Sequence, residues 1–302
     1  MWSEEELRDI EPEPLTRTGP KSSATPLRRH LSARALTRHI VSRVPHELTR
    51  GSSVIFAPEA SRHGNFIDAS YRRILTNPLW AARLAKPHTA KRQARRTGPN
   101  EEIRPWCELD SATSSDALLM NIFCYPRVLT PRLCTLLGVE PNIEPDFGYH
   151  PRIELDRKPL LRYAPDRTEI DMRLGNLLVE AKLTEADFQF APMRLIERYP
   201  FFDDVFDRDS LEVTRRGVRS YQLIRGVLAA QAAGPEEPAR FCVLLDARRP
   251  DLIEAWYAVI RAVRSYQLQS QLRLLTWQEI AATLPPPLAI FLASKYGIDK
   301  AQ

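Results

Sequence analysis

Histidine is almost missing from the second half of this chain. Six histidines occur in 302 residues, five of them before residue 100, and the last is His150. Residues 151–302 hold none, which excludes a histidine-ligated zinc centre or a histidine-containing catalytic triad built from that half. Cysteine is sparse: Cys107, Cys124, Cys134 and Cys242 are scattered, with no Cys-x-x-Cys. This argues against a zinc ribbon and against a disulfide framework. No glycine-rich phosphate loop is present, so no use of a nucleoside triphosphate is expected. Residues 1–14 are acidic and lack the apolar stretch of a secretory signal. No apolar run reaches the length of a membrane span. The expected setting is the cytoplasm, with no membrane partner. No internal repeat is visible.

What is present suits a folded protein with a sizeable core, since 43% of residues are hydrophobic and 27% charged. The net charge of +5 is unevenly spread. Residues 1–100 carry 18 Lys and Arg against 9 Asp and Glu, whereas the remainder carries 25 against 29. A basic N-terminal third on a slightly acidic body fits an anionic partner, and equally a solvated basic face.

The first 50 residues are punctuated by Pro12, Pro14, Pro20 and Pro26 and read as partly irregular, with a basic helix over 31–44. Residues 51–90 supply apolar side chains for a small helical subdomain or for covering part of the main core, and 91–100 read as a basic linker. The expected organisation is therefore an N-terminal region, 1–100, and a main domain, 101–302. In the main domain the pattern gives a helix opened by Thr113-x-x-Asp116, a short helix over 130–138 and strand-like pieces within 142–163, including Arg152 to Leu155. A hairpin follows at 168–183. Then come a helix over 215–233 stopped by Gly234, a strand at 241–245, a helix over 251–267 and a strand at 272–275. A capping box at Thr276–Glu279 and a helix over 288–296 complete the order. A mixed sheet flanked by helices satisfies it. Trp80, Trp106 and Trp277 read as core. His63-Gly64-Asn65 and His88 read as surface or capping residues rather than an accessory site.

The hairpin carries the most chemistry. Gly175-Asn176 is a two-residue turn signal with glycine first, as a type II′ turn requires. That turn pairs Leu174 with Leu177, Asp171 with Glu180, and Glu169 with Lys182. Ile170, Met172, Leu174, Leu177, Val179 and Ala181 then share an apolar face. The opposite face carries Glu169, Asp171, Glu180 and Lys182. Like charges directly opposite on a sheet repel, and a divalent cation would balance the two acids. Mg²⁺ takes oxygen ligands, often one or two carboxylates completed by water and phosphate. An ammonium beside such a site stabilises charge on a phosphate, which phosphodiester hydrolysis requires. The plainer reading is a solvated face with a Glu169–Lys182 ion pair.

Asp-x₈-Glu-x-Lys on a hairpin resembles the active-site signature of the PD-(D/E)xK, or restriction-endonuclease-like, nucleases. The resemblance covers about half the chain, and Ile170 stands where proline is frequent. It implies an α/β fold with an αβββαβ core, its mixed sheet flanked by helices, joined to the basic N-terminal region. It implies Asp171, Glu180 and Lys182 as catalytic residues, with Asp171, Glu180 and the Ala181 main-chain carbonyl as ligands of Mg²⁺, for which Mn²⁺ substitutes. A further acid often joins from upstream; Glu144 is the first candidate, with Asp116 and Glu154 behind it. Some DNA-end-processing branches carry a glutamine-centred motif on the next helix. Tyr221-Gln222-Leu223-Ile224-Arg225 is similar to it, although Gly226 replaces the usual tyrosine. Arg215, Arg219 and Gln222 are spaced to share one helix face, with Arg225 close to it, and all four are expected to contact nucleic acid; a solvated face is the plain alternative.

The expected function is a Mg²⁺-dependent nuclease acting on DNA, of restriction or repair type, with a homodimer one way to cut both strands. The competing readings are a non-catalytic nucleic-acid-binding or scaffold protein on the same fold, and an RNA-directed nuclease.

Overall fold

The computed structural model describes residues 24–42, 44–48, 53–56, 61–88, 95–97, 103–151, 153–155, 164–165, 168–232 and 239–299. The irregular start expected for residues 1–23 lies outside them. The chain divides into two units, one holding residues 24–136 and 277–299, the other 137–276. The division thus falls near residue 137 rather than at the expected boundary after residue 100, and the C-terminal helices return to the N-terminal unit. Helix Ser115–Phe123, read as the start of the main domain, belongs to that unit too.

In the N-terminal unit, helix Ala24–Ser42 begins seven residues before the expected basic helix and ends two residues short of it. It buries Leu27, Leu31, Ala35 and Leu36. Its arginines serve the unit itself. Arg34 donates to the carbonyls of Ala293 (3.0 Å) and Ser294 (3.2 Å) near the end of helix Pro286–Tyr296, where the helix dipole favours a cation. Arg38 lies over the Phe291 ring at 4.7 Å. Gly297 closes that helix in the left-handed conformation (φ 58°), as its position predicts. Strand Arg95–Thr97 pairs with Ile103–Pro105, so part of the expected linker is a strand. Trp80 and Trp277 are buried, and Trp106 is half-buried.

The second unit is organised around a five-stranded sheet. Its strands are β1 (Asp146–Tyr149), β2 (Ile170–Leu174), β3 (Leu177–Ala181), β4 (Arg240–Leu245) and β5 (Leu272–Thr276), in the spatial order β5-β4-β3-β2-β1. β1–β2 and β2–β3 are antiparallel, whereas β3–β4 and β4–β5 are parallel. This is the expected mixed sheet. Helix α1 (Tyr221–Ala232) connects β3 to β4, and α2 (Pro250–Arg261) connects β4 to β5, as parallel crossovers require. β3, in the middle of the sheet, is buried at every residue, while β2 alternates. Of the strand expected at 152–155, Glu154–Leu155 is seen, and Arg152 lies outside the described residues.

Two helices differ from expectation. The helix expected from Arg215 starts at Tyr221, because Val213–Thr214 and Gly217–Arg219 form a small hairpin. Gly217 (φ 115°) and Ser220 (φ 61°) both leave the right-handed helical region. The helix expected over 251–267 ends at Arg261. The backbone of residues 262–264 instead bonds to residues 205–207, with Asp207 N on Ala262 O and Arg264 N on Val205 O. Ser265 then caps a separate short helix, Tyr266–Ser270.

No helix among the described residues is long and apolar enough to cross a membrane.

Candidate active site

The β2–β3 hairpin turns at Gly175-Asn176 as the sequence predicts. Gly175 has φ 61°, while Asn176 stays out of the left-handed region, the pattern of a type II′ turn. Asn176 also fixes β4, for its carbonyl accepts from Arg240 N at 2.8 Å and its side-chain oxygen from the Arg240 guanidinium at 3.0 Å.

The ladder pairs Leu174 with Leu177, Arg173 with Leu178 and Met172 with Val179. There it stops, one step short of the expected Asp171–Glu180 pair. The Asp171 carboxylate itself takes the Ala181 N–H, Oδ2 accepting at 2.7 Å. The side chain thus replaces the next main-chain bond and is fixed by it. Beyond the end of β3, Lys182 N donates to Leu244 O at 2.8 Å, which holds the lysine's backbone to β4.

Glu180 and Lys182 are buried, 3% and 5% exposed, and form an ion pair at 2.6 Å between Nζ and Oε1. The expected partner of Lys182 across the hairpin was Glu169; the ion pair formed is with Glu180. Burial opposes the ammonium charge, but Glu180, Asp171 and Glu185 outweigh it, and Lys182 is held above the ordinary lysine range. Gln222, the second residue of α1, donates from Nε2 to the same Glu180 Oε1 at 2.8 Å. The Ala181 side chain is fully buried, as its face predicts.

The remaining predicted residues go elsewhere. Arg225 is buried, and its guanidinium donates to Glu169 O at 3.2 Å and to Thr168 O. It therefore grips the backbone entering β2 rather than facing solvent. Arg219 lies in a strand, paired with Glu212 at 2.6 Å and over the Phe190 ring. Arg215 is exposed in the turn of the small hairpin. The helix face expected to hold Arg215, Arg219 and Gln222 does not form, because of the four residues only Gln222 and Arg225 belong to the helix. Asp116 is in the N-terminal unit, paired with Arg83 (2.9 Å) and Lys86 (3.3 Å). The Glu154 side chain lies outside the described residues. Glu144 precedes β1, and among the described residues no three of His, Cys, Asp and Glu form a metal-binding group.

Two residues escaped the sequence reading. Glu185 accepts from Leu183 N at 2.6 Å and adds its charge to the field at Lys182. Arg249 is fully buried; it donates to Leu183 O at 3.0 Å and to both oxygens of Asp251 at 2.9 and 2.8 Å. The first lies in an irregular loop, and the second acts across 66 residues, so strand or helix periodicity marks neither. Together Arg225 and Arg249 hold the chain just before Asp171 and just after Lys182.

The side chains that could hold a cation here, Asp171 and Glu180, offer carboxylate oxygens. They fit a hard cation that keeps much of its water, such as Mg²⁺, better than a softer metal demanding three or four side chains.

The sequence model of one protein family, described as restriction endonuclease associating with ARP, matches residues 35–297. No curated protein and no solved structure matches the chain.

Proposed function

The chain belongs to the family of restriction endonucleases associating with ARP, and we propose that it hydrolyses phosphodiester bonds of DNA with Mg²⁺ held by Asp171 and Glu180 and with Lys182 as catalytic lysine. The observation that carries this reading is the buried Glu180–Lys182 pair beside Asp171. Taking two charges out of water costs several kcal/mol per ion, and an apolar pair of similar volume often serves stability as well or better. A buried acid and lysine next to a second acid are thus better explained by chemistry than by folding.

Each residue has a distinct part. Asp171 is held by the Ala181 N–H. Glu180 receives both Lys182 and Gln222 on Oε1, which leaves Oε2 for a cation. The Ala181 carbonyl is a further oxygen ligand in this reading. Lys182, kept protonated by the surrounding acids, presents fixed positive charge to a phosphate. Mg²⁺ would supply charge neutralisation on the phosphodiester and acidify water.

Cleavage of supercoiled plasmid with Mg²⁺ or Mn²⁺ tests this, comparing the wild type with Asp171→Ala and Lys182→Ala. Cutting by the wild type and its loss in both variants is the expected result. A wild type that cuts no DNA and binds neither ion overturns it.

One observation favours a second reading, a nuclease fold that binds nucleic acid without cutting it. Among the described residues, no third acid joins Asp171 and Glu180. DNA binding indifferent to Mg²⁺ and to Asp171→Ala would mark that case.

A further inference from the structure

The arginines between residues 190 and 225 differ in what they touch. Arg208 is paired with Glu197 and Asp203, Arg219 with Glu212, Arg225 grips main-chain carbonyls, and Arg198 is half-buried and engaged. Arg194, Arg215 and Arg216 are exposed, and no carboxylate among the described residues pairs with them.

Arg215 and Arg216 lie at one end of a small sheet with the order Phe190–Ala191, Gly217–Arg219, Val213–Thr214, and Arg194 follows its first strand. Arg215 and Arg216 form the turn of its hairpin. The register Phe190–Arg219 and Ala191–Val218 brings the chain out of its strand beside Gly217, and Arg194 follows three residues after Ala191 in the short helix Met193–Ile196. The turn is held: Thr214 Oγ1 donates to Gly217 O at 3.0 Å and accepts from Arg216 N at 3.2 Å. Gly217 passes so close to the neighbouring strand that a Cβ there would lie 2.3 Å from Ala191 O. At its other end, strand Gly217–Arg219 runs through Ser220 into α1, where Gln222 bonds to Glu180. Gln222 lies six positions after Arg216. At about 3.3 Å per residue that stretch spans at most roughly 20 Å, or about six base-pair steps of duplex DNA at ~3.4 Å each.

We infer that Arg194, Arg215 and Arg216 form a phosphate-contact surface for duplex DNA, which grips the backbone within about six base pairs of the bond to be cut. The inference rests on the nuclease reading and extends it to how substrate is held. Guanidinium forks match phosphate geometry, and contacts of this kind set affinity and register without reading sequence.

The test is duplex binding by the full chain in Ca²⁺, so that binding is read apart from cleavage, over about 50 to 200 mM KCl. The wild type is compared with Arg194→Gln/Arg215→Gln/Arg216→Gln and with Arg261→Gln, an exposed arginine on α2. Each lost contact lowers the salt slope by about 0.9, so the triple variant should lose about 2.7 and Arg261→Gln nothing. Over that fourfold rise in salt, the wild type then loses about 40-fold more affinity than the triple variant. If the triple variant unfolds, Arg194→Gln alone and the Arg215→Gln/Arg216→Gln pair should lower the slope by about 0.9 and 1.8. An unchanged slope in the variants, or a wild type that does not bind duplex DNA, overturns the inference. Normal slope changes without Mg²⁺-dependent cutting would sink the nuclease reading alone; cutting with an unchanged slope would sink this inference alone.

Discussion

Gln222 Nε2 lies 2.8 Å from Glu180 Oε1, the oxygen that also receives Lys182 Nζ at 2.6 Å. One carboxylate oxygen is thus fixed by two donors from different elements, β3's own continuation and α1. A ligand held this way keeps its orientation without a bound ion. Partners behind a metal ligand typically matter by 10- to 100-fold in affinity or activity. Gln222→Ala should therefore lower single-turnover cleavage about 10- to 100-fold and weaken Mg²⁺ activation, with duplex binding in Ca²⁺ little changed. Gln222→Glu should be worse, because it sets a second acid against Glu180. Wild-type rates in Gln222→Ala would show the bond to be incidental.

Asp171 has two separable tasks, to accept the Ala181 N–H and to hold charge. Asp171→Asn keeps an acceptor oxygen and removes the charge, so it should abolish cutting and leave thermal stability in EDTA near wild type. Asp171→Ala should abolish cutting and also leave the amide unsatisfied, at about 1–3 kcal/mol. Equal unfolding midpoints for the two variants would contradict the bond.

The hairpin was legible because apolar residues alternate along β2 and Gly175-Asn176 fixes the register. The mixed sheet flanked by helices followed from apolar strands separated by helical periods. The role of Gln222 was not legible. Its helix begins after Ser220, whose φ of 61° nothing in the local pattern announces. Moving the helix start from residue 215 to 221 separates Gln222 from Arg215 and Arg219 and turns a presumed DNA-facing stripe into a site partner and a buried clamp. The two units escaped for a related reason: helix Pro286–Tyr296 belongs with Ala24–Ser42, and sequence spacing carries no trace of a match that distant.

Arg249 ties the loop after Lys182 to α2 through Leu183 O and Asp251. Breaking a buried ion pair costs about 3–5 kcal/mol, and the lower end applies because Asp251 is partly open to water. Arg249→Met should therefore lower the urea midpoint by the equivalent of about 3 kcal/mol. Arg249→Lys should recover only part of it, since an ammonium cannot reproduce the fork. A midpoint shift under about 0.5 kcal/mol, the range of ordinary surface changes, would show that the clamp is dispensable.

Gly226 explains the departure from the glutamine-centred motif. A Cβ at this position would lie 2.2 Å from Phe241 Cζ, and Phe241 is fully buried in β4. The helix approaches the sheet too closely here for a tyrosine. Gly226→Ala should destabilise by about 1–3 kcal/mol through overpacking, despite the better helix propensity of alanine, about 1 kcal/mol. Adding Phe241→Leu should recover part of the loss, with a favourable coupling in a double-mutant cycle. Additive effects would show that α1 can move away from β4.

Lys295 gives the N-terminal unit a dependence on pH. It is fully buried, donating to Asn65 Oδ1 and, at 3.4 Å, to Ala112 O. Burial first, and then the like charge of Arg38, push its ammonium well below the ordinary 10.5. Between the folded value and 10.5 the unfolded chain therefore binds more protons here than the folded chain. Stability from this group rises with pH between the folded value and 10.5, and is lost as pH falls through the folded value. Lys295→Met removes that term. It also leaves Asn65 Oδ1 short of a donor, a loss that does not vary with pH. Urea unfolding from pH ~7 to ~8.5 should thus show the wild type gaining on Lys295→Met as pH rises, by at most about 1.4 kcal/mol per pH unit. Cys124 and Tyr296, both pushed up by burial from ordinary values of 9.0 and 10.0, titrate above this window. A constant difference between the two proteins would mean that Lys295 is charged in the fold, with the carbonyls of Asn65 and Ala112 sufficing to hold its ammonium.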